Sequence, residues 1–193
     1  MKLLPTDLPG VLLIEPAVFG DDRGWFMESY NGPRLSAALA AAGLPPTPDF
    51  VQDNHSCSQA FVLRGLHYQL PPHAQGKLVR VVQGRAWDVA VDIRRGSPSF
   101  GRWAGAELTA HNHRQMWVPP GFAHGFVALE DNTHFLYKTT DVYAKDSERC
   151  IRWDDPALAI AWPLPAGLAP RLAPKDAAAP LLAQAELFAF DPA

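Results

Sequence analysis

The chain has 193 residues, of which 48% are hydrophobic, 19% charged and 10% aromatic. This composition excludes a disordered chain and is sufficient for one sizeable core. The formal net charge of -3 at pH 7 provides no basic field for nucleic acid or an anionic membrane, so phosphate recognition would need local clusters of Arg and Lys. No apolar stretch approaches the ~20 residues of a membrane span, and no signal-peptide pattern is seen. We therefore expect a cytoplasmic protein that binds neither nucleic acid nor membranes.

The two cysteines, Cys57 and Cys150, have no second Cys or His at zinc-finger spacing. In a chain without a secretion signal, two cysteines are more often reduced than paired. We expect free thiols and assign them no chemistry.

The first quarter of the chain is predicted to contain short elements, because 19 prolines and 14 glycines are spread through the sequence. Residues 11–14 and 25–30 have the composition of strands, and residues 19–24 that of a turn. Residues 35–42, rich in Ala and Leu and followed by Gly43, predict a helix.

Short strands then follow at close intervals. Residues 86–92 alternate between two chemical faces, which is the period of a strand. The predicted strands cover residues 50–56, 61–68, 78–83, 86–93, 103–108, 115–118, 124–128 and 133–140. Many short, evenly spaced strands predict a mainly β protein, either a jelly roll or a related barrel.

After Asp155, prolines recur among alanines and leucines. We predict a tail that wraps the barrel surface and ends in a short helix near residues 181–185. The whole chain, 1–193, is predicted to be one domain. About 1–48 form N-terminal strands and a helix, 49–142 the barrel core, and 143–193 the tail.

Two segments are similar to the metal-binding boxes of cupin barrels. Residues 119–124 read Pro-x-Gly-x-x-His, a tight turn that delivers His124 onto a strand. In the other box, His67 is followed by Gln69 where a second histidine would stand, and no Glu precedes Lys77. An amide is a poor substitute for imidazole on a transition metal. We predict a cupin-type jelly-roll β-barrel with short peripheral helices, and neither a metal nor another cofactor.

Several polar side chains fall on predicted strands among apolar neighbours: Arg64, His67, Lys77, Asp88, His124 and Tyr137. Lys and Arg are rarely buried without a partner, so this set indicates an anionic ligand or transition state. The alternative is ion pairing at the barrel rim, which we favour for Asp88. His67 is the candidate general base, because imidazole has an unperturbed pKa of ~6.5.

Ordered blocks along almost the entire chain carry a family resemblance. They are Asp-Asp-Arg-Gly-Trp-Phe-Met-Glu at 21–28, Gln-Asp-Asn-His-Ser at 52–56, Leu-Arg-Gly-Leu-His-Tyr-Gln at 63–69, Gln-Gly-Lys-Leu-Val-Arg at 75–80, Val-Pro-Pro-Gly-Phe-Ala-His-Gly-Phe at 118–126, Tyr-Lys at 137–138, and the stretches 151–156 and 172–176. The chain closely resembles the dTDP-4-dehydrorhamnose 3,5-epimerase family.

The resemblance implies a homodimeric jelly roll that inverts C3 and C5 of a dTDP-linked 4-keto-6-deoxy sugar without a cofactor. By the family pattern His67 is the base, Asp176 its dyad partner, and Tyr137 the acid on the other face of the ring. Lys77 and His124 are placed beside the sugar.

The remaining matched positions are implied to bind the rest of the substrate. Arg64 meets the diphosphate. The nucleotide site takes Arg23, Phe26, Glu28, Gln52 and Asn54, and Glu148 and Lys175 match further ligand contacts.

These residue types suit the reaction. Protons on C3 and C5 are acidified by the C4 ketone, and a neutral imidazole can remove them while a carboxylate holds its tautomer. A cation such as Lys77 would stabilise the enolate oxygen, and a phenol such as Tyr137 can donate a proton from the opposite face.

Alternatives remain for individual residues and for the whole protein. Tyr137 is alternatively a rim aromatic, and Asp176 the N-cap of a helix over residues 177–179. His55, His73, His111, His113 and His134 are expected to be surface or structural residues. Competing functions are a single 3- or 5-epimerase of a related nucleotide sugar, a non-catalytic nucleotide-sugar binding barrel, and a metal-dependent cupin dioxygenase.

Overall fold

Two antiparallel sheets form the body of the protein in a computed structural model that describes residues 1–190. The larger sheet has the order β1 (Lys2–Pro5), β2 (Leu12–Glu15), β11 (Gln115–Val118), β7 (Lys77–Gln83), β13 (Thr133–Thr139) and β5 (Gln52–Ser58). The smaller sheet has the order β10 (Trp103–Thr109), β8 (Arg85–Asp92), β12 (Phe122–Ala128), β6 (Leu63–Gln69) and β14 (Glu148–Cys150). Side chains from both sheets, such as Val79, Ala90 and Phe135, form the core between them. The prediction of a mainly β jelly roll is confirmed.

Smaller strands and helices lie at the periphery of the two sheets. A hairpin is formed by β3 (Val18–Asp21) and β4 (Gly24–Met27), and β9 (Arg94–Arg95) pairs in parallel with β15 (Phe188–Ala189). The helices are α1 (Gly32–Ala41) and α2 (Pro174–Ala177), with 3-10 turns at Lys145–Ser147 and Leu182–Gln184. Among the described residues, no helix has both the length and the apolar character that a membrane crossing requires.

Helix α1 covers the outer face of the six-stranded sheet. Asn31 caps it by accepting a hydrogen bond from the backbone N–H of Arg34. Leu35 and Leu39 pack on that sheet face, against Leu12 among others. The helix begins at Gly32, earlier than the predicted residue 35, because a proline is well tolerated in the first turn of a helix.

Successive side chains of β8 point to opposite faces of the five-stranded sheet. Ala86 and Ala90 face the core between the sheets, whereas Val89 and Val91 pack on the outer side with residues of the tail. The tail therefore covers the outer face of the five-stranded sheet, as predicted. The helix predicted at 181–185 is only the 3-10 turn Leu182–Gln184.

Other predictions of local structure were wrong. Residues 19–24, predicted as a turn, are mostly strand, and only Asp22 and Arg23 lie between β3 and β4. The strand predicted over 25–30 ends at Met27. Strands β1, β9, β14 and β15 were missed. The last three have only two or three residues, too few for alternation to be recognised.

Two glycines allow β6 and β12 to approach closely beside the site. A Cβ atom on Gly65 would lie 2.6 Å from the Cα of Gly125, so a side chain at residue 65 would force the strands apart. The register shifts between His124 and Phe126, and His67 lies directly opposite His124. This pairing brings two histidines from distant sequence blocks to one wall of a cavity.

Candidate active site

A cavity of about 350 Å³ opens between the two sheets. Its walls come from β5, β7 and β13 of the larger sheet, β6 and β12 of the smaller sheet, and the tail. Most residues that the sequence analysis selected line it: Asn54, Arg64, His67, Lys77, His124, Tyr137, Glu148, Lys175 and Asp176. The cavity thus collects residues between Asn54 and Asp176 that are far apart in the sequence.

His67 and Asp176 form a hydrogen-bonded pair in the cavity wall. The His67 Nε2 atom lies 2.6 Å from Asp176 Oδ1, although the residues are 109 positions apart. Asp176 is almost fully buried, and the backbone N–H of Gly65 donates to its other oxygen at 3.4 Å. Asp176 lies inside α2, whose N-cap is Ala173, so the alternative of Asp176 as a helix N-cap is wrong.

The environment favours a neutral imidazole beside an ionised carboxylate. Burial lowers the pKa of His67, and this effect outweighs the opposing influence of Asp176. Burial alone would raise the pKa of Asp176, but the hydrogen bond and charge of His67 lower it below its usual value. An ionised Asp176 holds the Nε2–H tautomer, which leaves the Nδ1 lone pair of His67 available as a base.

Tyr137 and Lys77 lie on the sheet opposite His67. Tyr137 is on β13 and Lys77 begins β7, whereas His67 is on β6 of the other sheet. Tyr137 pairs in register with Val79, two residues beyond Lys77, so the phenol and the ammonium share the inner face. Burial raises the pKa of Tyr137, which keeps it a proton donor. The cavity therefore has an imidazole on one wall and a phenol on the facing wall.

Lys77 is a buried cation. Its Nζ atom donates to the backbone oxygen of His67 at 3.2 Å. Burial lowers its pKa to about 8, against the opposing charges of Asp88 and Glu148. A cation in a site of low polarity acts strongly on any negative charge that develops nearby.

His124 is held by a buried carboxylate that the sequence analysis misjudged. Its Nε2 atom lies 2.8 Å from Asp88 Oδ1, and Asp88 has no exposed surface. Asp88 is therefore not a rim residue, and the prediction of a rim ion pair was wrong. The signal was present: Asp88 shares the strand face of Ala86 and Ala90, which point into the core.

The rim of the cavity carries further polar groups. Lys175 and Glu148 form an ion pair at 2.6 Å, and the Tyr143 hydroxyl donates to Glu148 at 3.2 Å. Arg64 is exposed and donates to Ser58 Oγ at 3.1 Å. Sequence reasoning missed Tyr143, because no motif marks it as a cavity residue.

Gln52 and Gln69 organise the backbone around the cavity. Gln52 donates to Asn54 Oδ1 and accepts from the N–H of Tyr143, both at 2.9 Å. Gln69, at the position where a cupin would have a histidine, is buried and bonds to the backbone of His73, Val142 and Ala144. Its amide is thus committed to holding a loop rather than free to act as a ligand.

Gln52 stands next to the cavity without lining it, and three further predicted binding residues lie farther away. Arg23 and Phe26 are on the β3–β4 hairpin, where they line a separate groove, and the side chain of Arg23 is 90% exposed. Glu28 follows the hairpin and accepts hydrogen bonds from Asn31 and Arg34. Within this chain, the structure does not bring these three side chains to the cavity.

Cys57 and Cys150 are both free thiols. Cys57 is exposed on β5. Cys150 pairs in register with His67, and its Sγ atom lies 3.8 Å from Asp176 Oδ1. Sequence reasoning assigned Cys150 no role, because β14 was not predicted and the cross-strand partner was therefore unknown.

Comparisons with known proteins identify the family of the chain. Residues 5–184 match the family model described as dTDP-4-dehydrorhamnose 3,5-epimerase. The chain is 56% identical over 188 residues to the dTDP-4-dehydrorhamnose 3,5-epimerase of Pseudomonas aeruginosa, covering 97% of this chain and 99% of that relative. It is 53% identical to the enzyme of the same name from Salmonella typhimurium, covering 97% and 98%.

A solved structure extends the likeness to the fold. The dTDP-6-deoxy-D-glucose-3,5-epimerase of Legionella pneumophila, in complex with dTDP-4-keto-L-rhamnose, superposes with a TM-score of 0.90 at 48% identity, with 98% of both chains covered. The likeness in sequence and fold thus extends over nearly the whole length of the chain. The chain therefore belongs to the dTDP-4-dehydrorhamnose 3,5-epimerase family, a family of isomerases.

Proposed function

We propose that this protein converts dTDP-4-dehydro-6-deoxy-D-glucose into dTDP-4-dehydro-L-rhamnose by inverting C3 and C5 without a cofactor. The observation that carries the proposal is the arrangement of one cavity. The His67–Asp176 pair stands on the five-stranded sheet side, and Tyr137 faces it from the six-stranded sheet. Inversion requires a base on one face of the sugar ring and an acid on the other. Two such groups on the same wall of the cavity could reach only one face.

In the proposed mechanism, Nδ1 of neutral His67 removes the proton from C3 or C5. Asp176 stabilises the resulting imidazolium through Nε2–H. The electron pair of the C–H bond moves into the enolate, so negative charge develops on O4, where Lys77 stabilises it. Tyr137 then donates its proton to the same carbon from the other face. The phenolate and imidazolium are reset by exchange with solvent.

We assign the remaining cavity residues to substrate binding. His124, fixed by Asp88, lies beside the sugar, and exposed Arg64 meets the diphosphate, because guanidinium presents paired donors to phosphate oxygens. Asn54, Glu148 and Lys175 complete the binding site in the cavity, and Gln52 lies beside it, hydrogen-bonded to Asn54.

The three residues outside the cavity lead us to propose a homodimer. The hairpin exposes large apolar side chains, with 65% of Phe19, 58% of Trp25 and 70% of Phe26 accessible. Such a patch is typical of a protein interface. We propose that the hairpin docks on a second copy and that Arg23, Phe26 and Glu28 bind the nucleotide in that copy's cavity.

Mixing two impaired variants, assayed at a substrate concentration far below KM so that weak nucleotide binding suppresses the rate, tests the shared site. One chain carries His67→Ala, and the other carries Arg23→Ala with Phe26→Ala. A mixed dimer would hold one cavity with an intact base and an intact donated hairpin, so random mixing should restore roughly a quarter of the wild-type activity. If the mixture regains nothing while mixed dimers form, the hairpin acts within its own chain.

We further infer one epimerase domain, since the N-terminal helix and the tail both pack on the same two sheets. A cytoplasmic location is also proposed. The free thiols of Cys57 and Cys150 support it, because disulfides are rare in the reducing cytosol.

Solvent exchange tests the reaction itself. The enzyme is incubated in deuterated water with dTDP-4-dehydro-6-deoxy-D-glucose, and label is located by NMR. Label is expected at both C3 and C5 of the product. Label at a single carbon would support the runner-up, a 3- or 5-epimerase, and no label would support a binding barrel.

A further inference from the structure

Three donor atoms of different chemistry lie together at the catalytic pair. The ligand atoms of His67, Cys150 and Asp176 are all within 4.8 Å of one another. Oxygen Oδ1 of Asp176 is shared, since it lies 2.6 Å from His67 Nε2 and 3.8 Å from Cys150 Sγ. The proposed mechanism uses His67 and Asp176 but leaves Cys150 without a role.

The spacing of these donors is close to that of a zinc site. Zinc bonds of about 2.0–2.1 Å to nitrogen, 2.3 Å to sulfur and 2.0–2.2 Å to oxygen place tetrahedral ligands about 3.4 Å (N to O) and 3.6 Å (S to O) apart. The observed sulfur to oxygen distance of 3.8 Å already fits. The His67–Asp176 pair would have to open by somewhat less than 1 Å, and the side chain of His67, 24% exposed, borders the open cavity.

We propose that His67, Cys150 and Asp176 form an inhibitory site for a thiophilic divalent cation, Zn²⁺ being the ion whose ligand preferences they match. The three side chains supply nitrogen, sulfur and oxygen ligands, and water would take the fourth position. This site differs from a catalytic cupin centre, because neither Gln69 nor His124 takes part.

Binding of Zn²⁺ would inactivate the base His67, because bonds to the ion replace protons on the ligand atoms. Bonds form from the ion to His67 Nε2, Cys150 Sγ and Asp176 Oδ1. The S–H bond of Cys150 breaks and its proton goes to solvent. The imidazole proton moves from Nε2 to Nδ1, so the nitrogen that accepts the substrate proton is blocked.

The charges around the cluster allow a divalent ion. Lys77 and Lys175 oppose a cation, but Lys175 is paired with Glu148 at 2.6 Å. The carboxylate and the thiolate together supply two negative charges, which balance the two positive charges of the ion. A hard ion such as Mg²⁺ gains nothing from sulfur and demands octahedral oxygen ligands, so the site should discriminate against it.

Zinc titration of the epimerase tests the proposal, with each variant compared to its own metal-free rate. Wild type should be inhibited by Zn²⁺, restored by a chelator and unaffected by Mg²⁺. Cys150→Ala and the closer replacement Cys150→Ser should each raise the inhibition constant more than about tenfold. The matched control is Cys57→Ala, which removes the other thiol and should behave as wild type.

Cobalt binding provides a readout that does not depend on activity. A thiolate–Co²⁺ charge-transfer band in the near ultraviolet is expected for wild type and Cys57→Ala, and its absence for both Cys150 variants. The proposal is overturned if the Cys150 variants keep the band or keep wild-type sensitivity to Zn²⁺, or if the band is lost in Cys57→Ala.

Discussion

The cavity wall and the β3–β4 hairpin carry residues of the same family motifs but differ in almost every physical respect. Asp176 and Lys77 in the wall are buried, and their partners are fixed within the chain. Arg23 and Phe26 on the hairpin are largely exposed, and the side chain of Arg23 pairs with its neighbour Asp21. Preorganised groups act on a transition state, whereas exposed groups must first be ordered by the ligand or by a partner surface. The comparison therefore predicts rate effects from the wall and binding effects from the hairpin.

The largest effect is expected from the base. His67→Ala should abolish solvent exchange at C3 and C5, with a loss of at least about 1,000-fold, near the upper range for general acid–base catalysis. Affinity for dTDP, measured by calorimetry, should stay within about tenfold, since base and nucleotide contacts are separate. His134→Ala, on the outer face of β13, is the control. Surviving exchange would place the base elsewhere.

The acid on the facing wall should give the next largest effect. Tyr137→Phe removes only the hydroxyl, so His67 can still remove and return a proton on one face. Product formation should fall about 100-fold or more, while exchange at the substrate carbons continues. NMR follows both processes in one sample, with Tyr30→Phe as the matched control outside the cavity. Equal loss of exchange and inversion would contradict the assignment of proton removal to His67 and of proton donation to Tyr137 on the facing wall.

Replacing the buried cation separates function from stability. Lys77→Met should lower kcat by about 100-fold, because the developing charge on O4 loses its stabilising group. The same change should leave Tm unchanged or raise it, since a buried ammonium is costly to desolvate. Kinetics and calorimetry on one preparation provide both numbers. A large fall in Tm would indicate that Lys77 is structural.

On the hairpin, Arg23→Ala should act on binding alone. Loss of one charge-assisted contact to the nucleotide should raise KM about tenfold, with kcat within a few fold of wild type. Arg102→Ala is a suitable control, because Arg102 is also exposed and bonds only to the backbone of Asp7. A fall in kcat with unchanged KM would contradict the expectation that the hairpin affects binding and the cavity wall affects the rate.

The smallest effect concerns pH. Burial lowers the pKa of Lys77 to about 8, so the ammonium loses its proton, and the enolate its stabilising charge, as pH rises through this value. The kcat profile should therefore fall above about pH 8. Tyr137 does not cause this limb, because burial raises its pKa. In Lys77→Arg the guanidinium stays charged, and the residual activity should show no fall near pH 8.

Much of the architecture follows from local sequence. Turn residues and alternation located most strands of the two sheets, because a half-buried strand repeats every two residues. The prolines of the tail indicated a wrapping segment, and the tail indeed covers the outer sheet face. Elements of two or three residues, such as β9 and β14, carry no such period and were missed.

The sequence by itself determined which chemical groups are present and which family they resemble: His67, Lys77, Tyr137 and Asp176 were all identified as reactive candidates. Only the tertiary structure decided their geometry, because the contacts that matter are non-local. It joined Asp176 to His67 across 109 residues and buried Asp88 beneath His124. It also set Cys150 beside the dyad through strand register and left the hairpin outside its own cavity. Periodicity along a chain fixes which face a residue occupies, but sheet pairing and tail packing decide what that face meets.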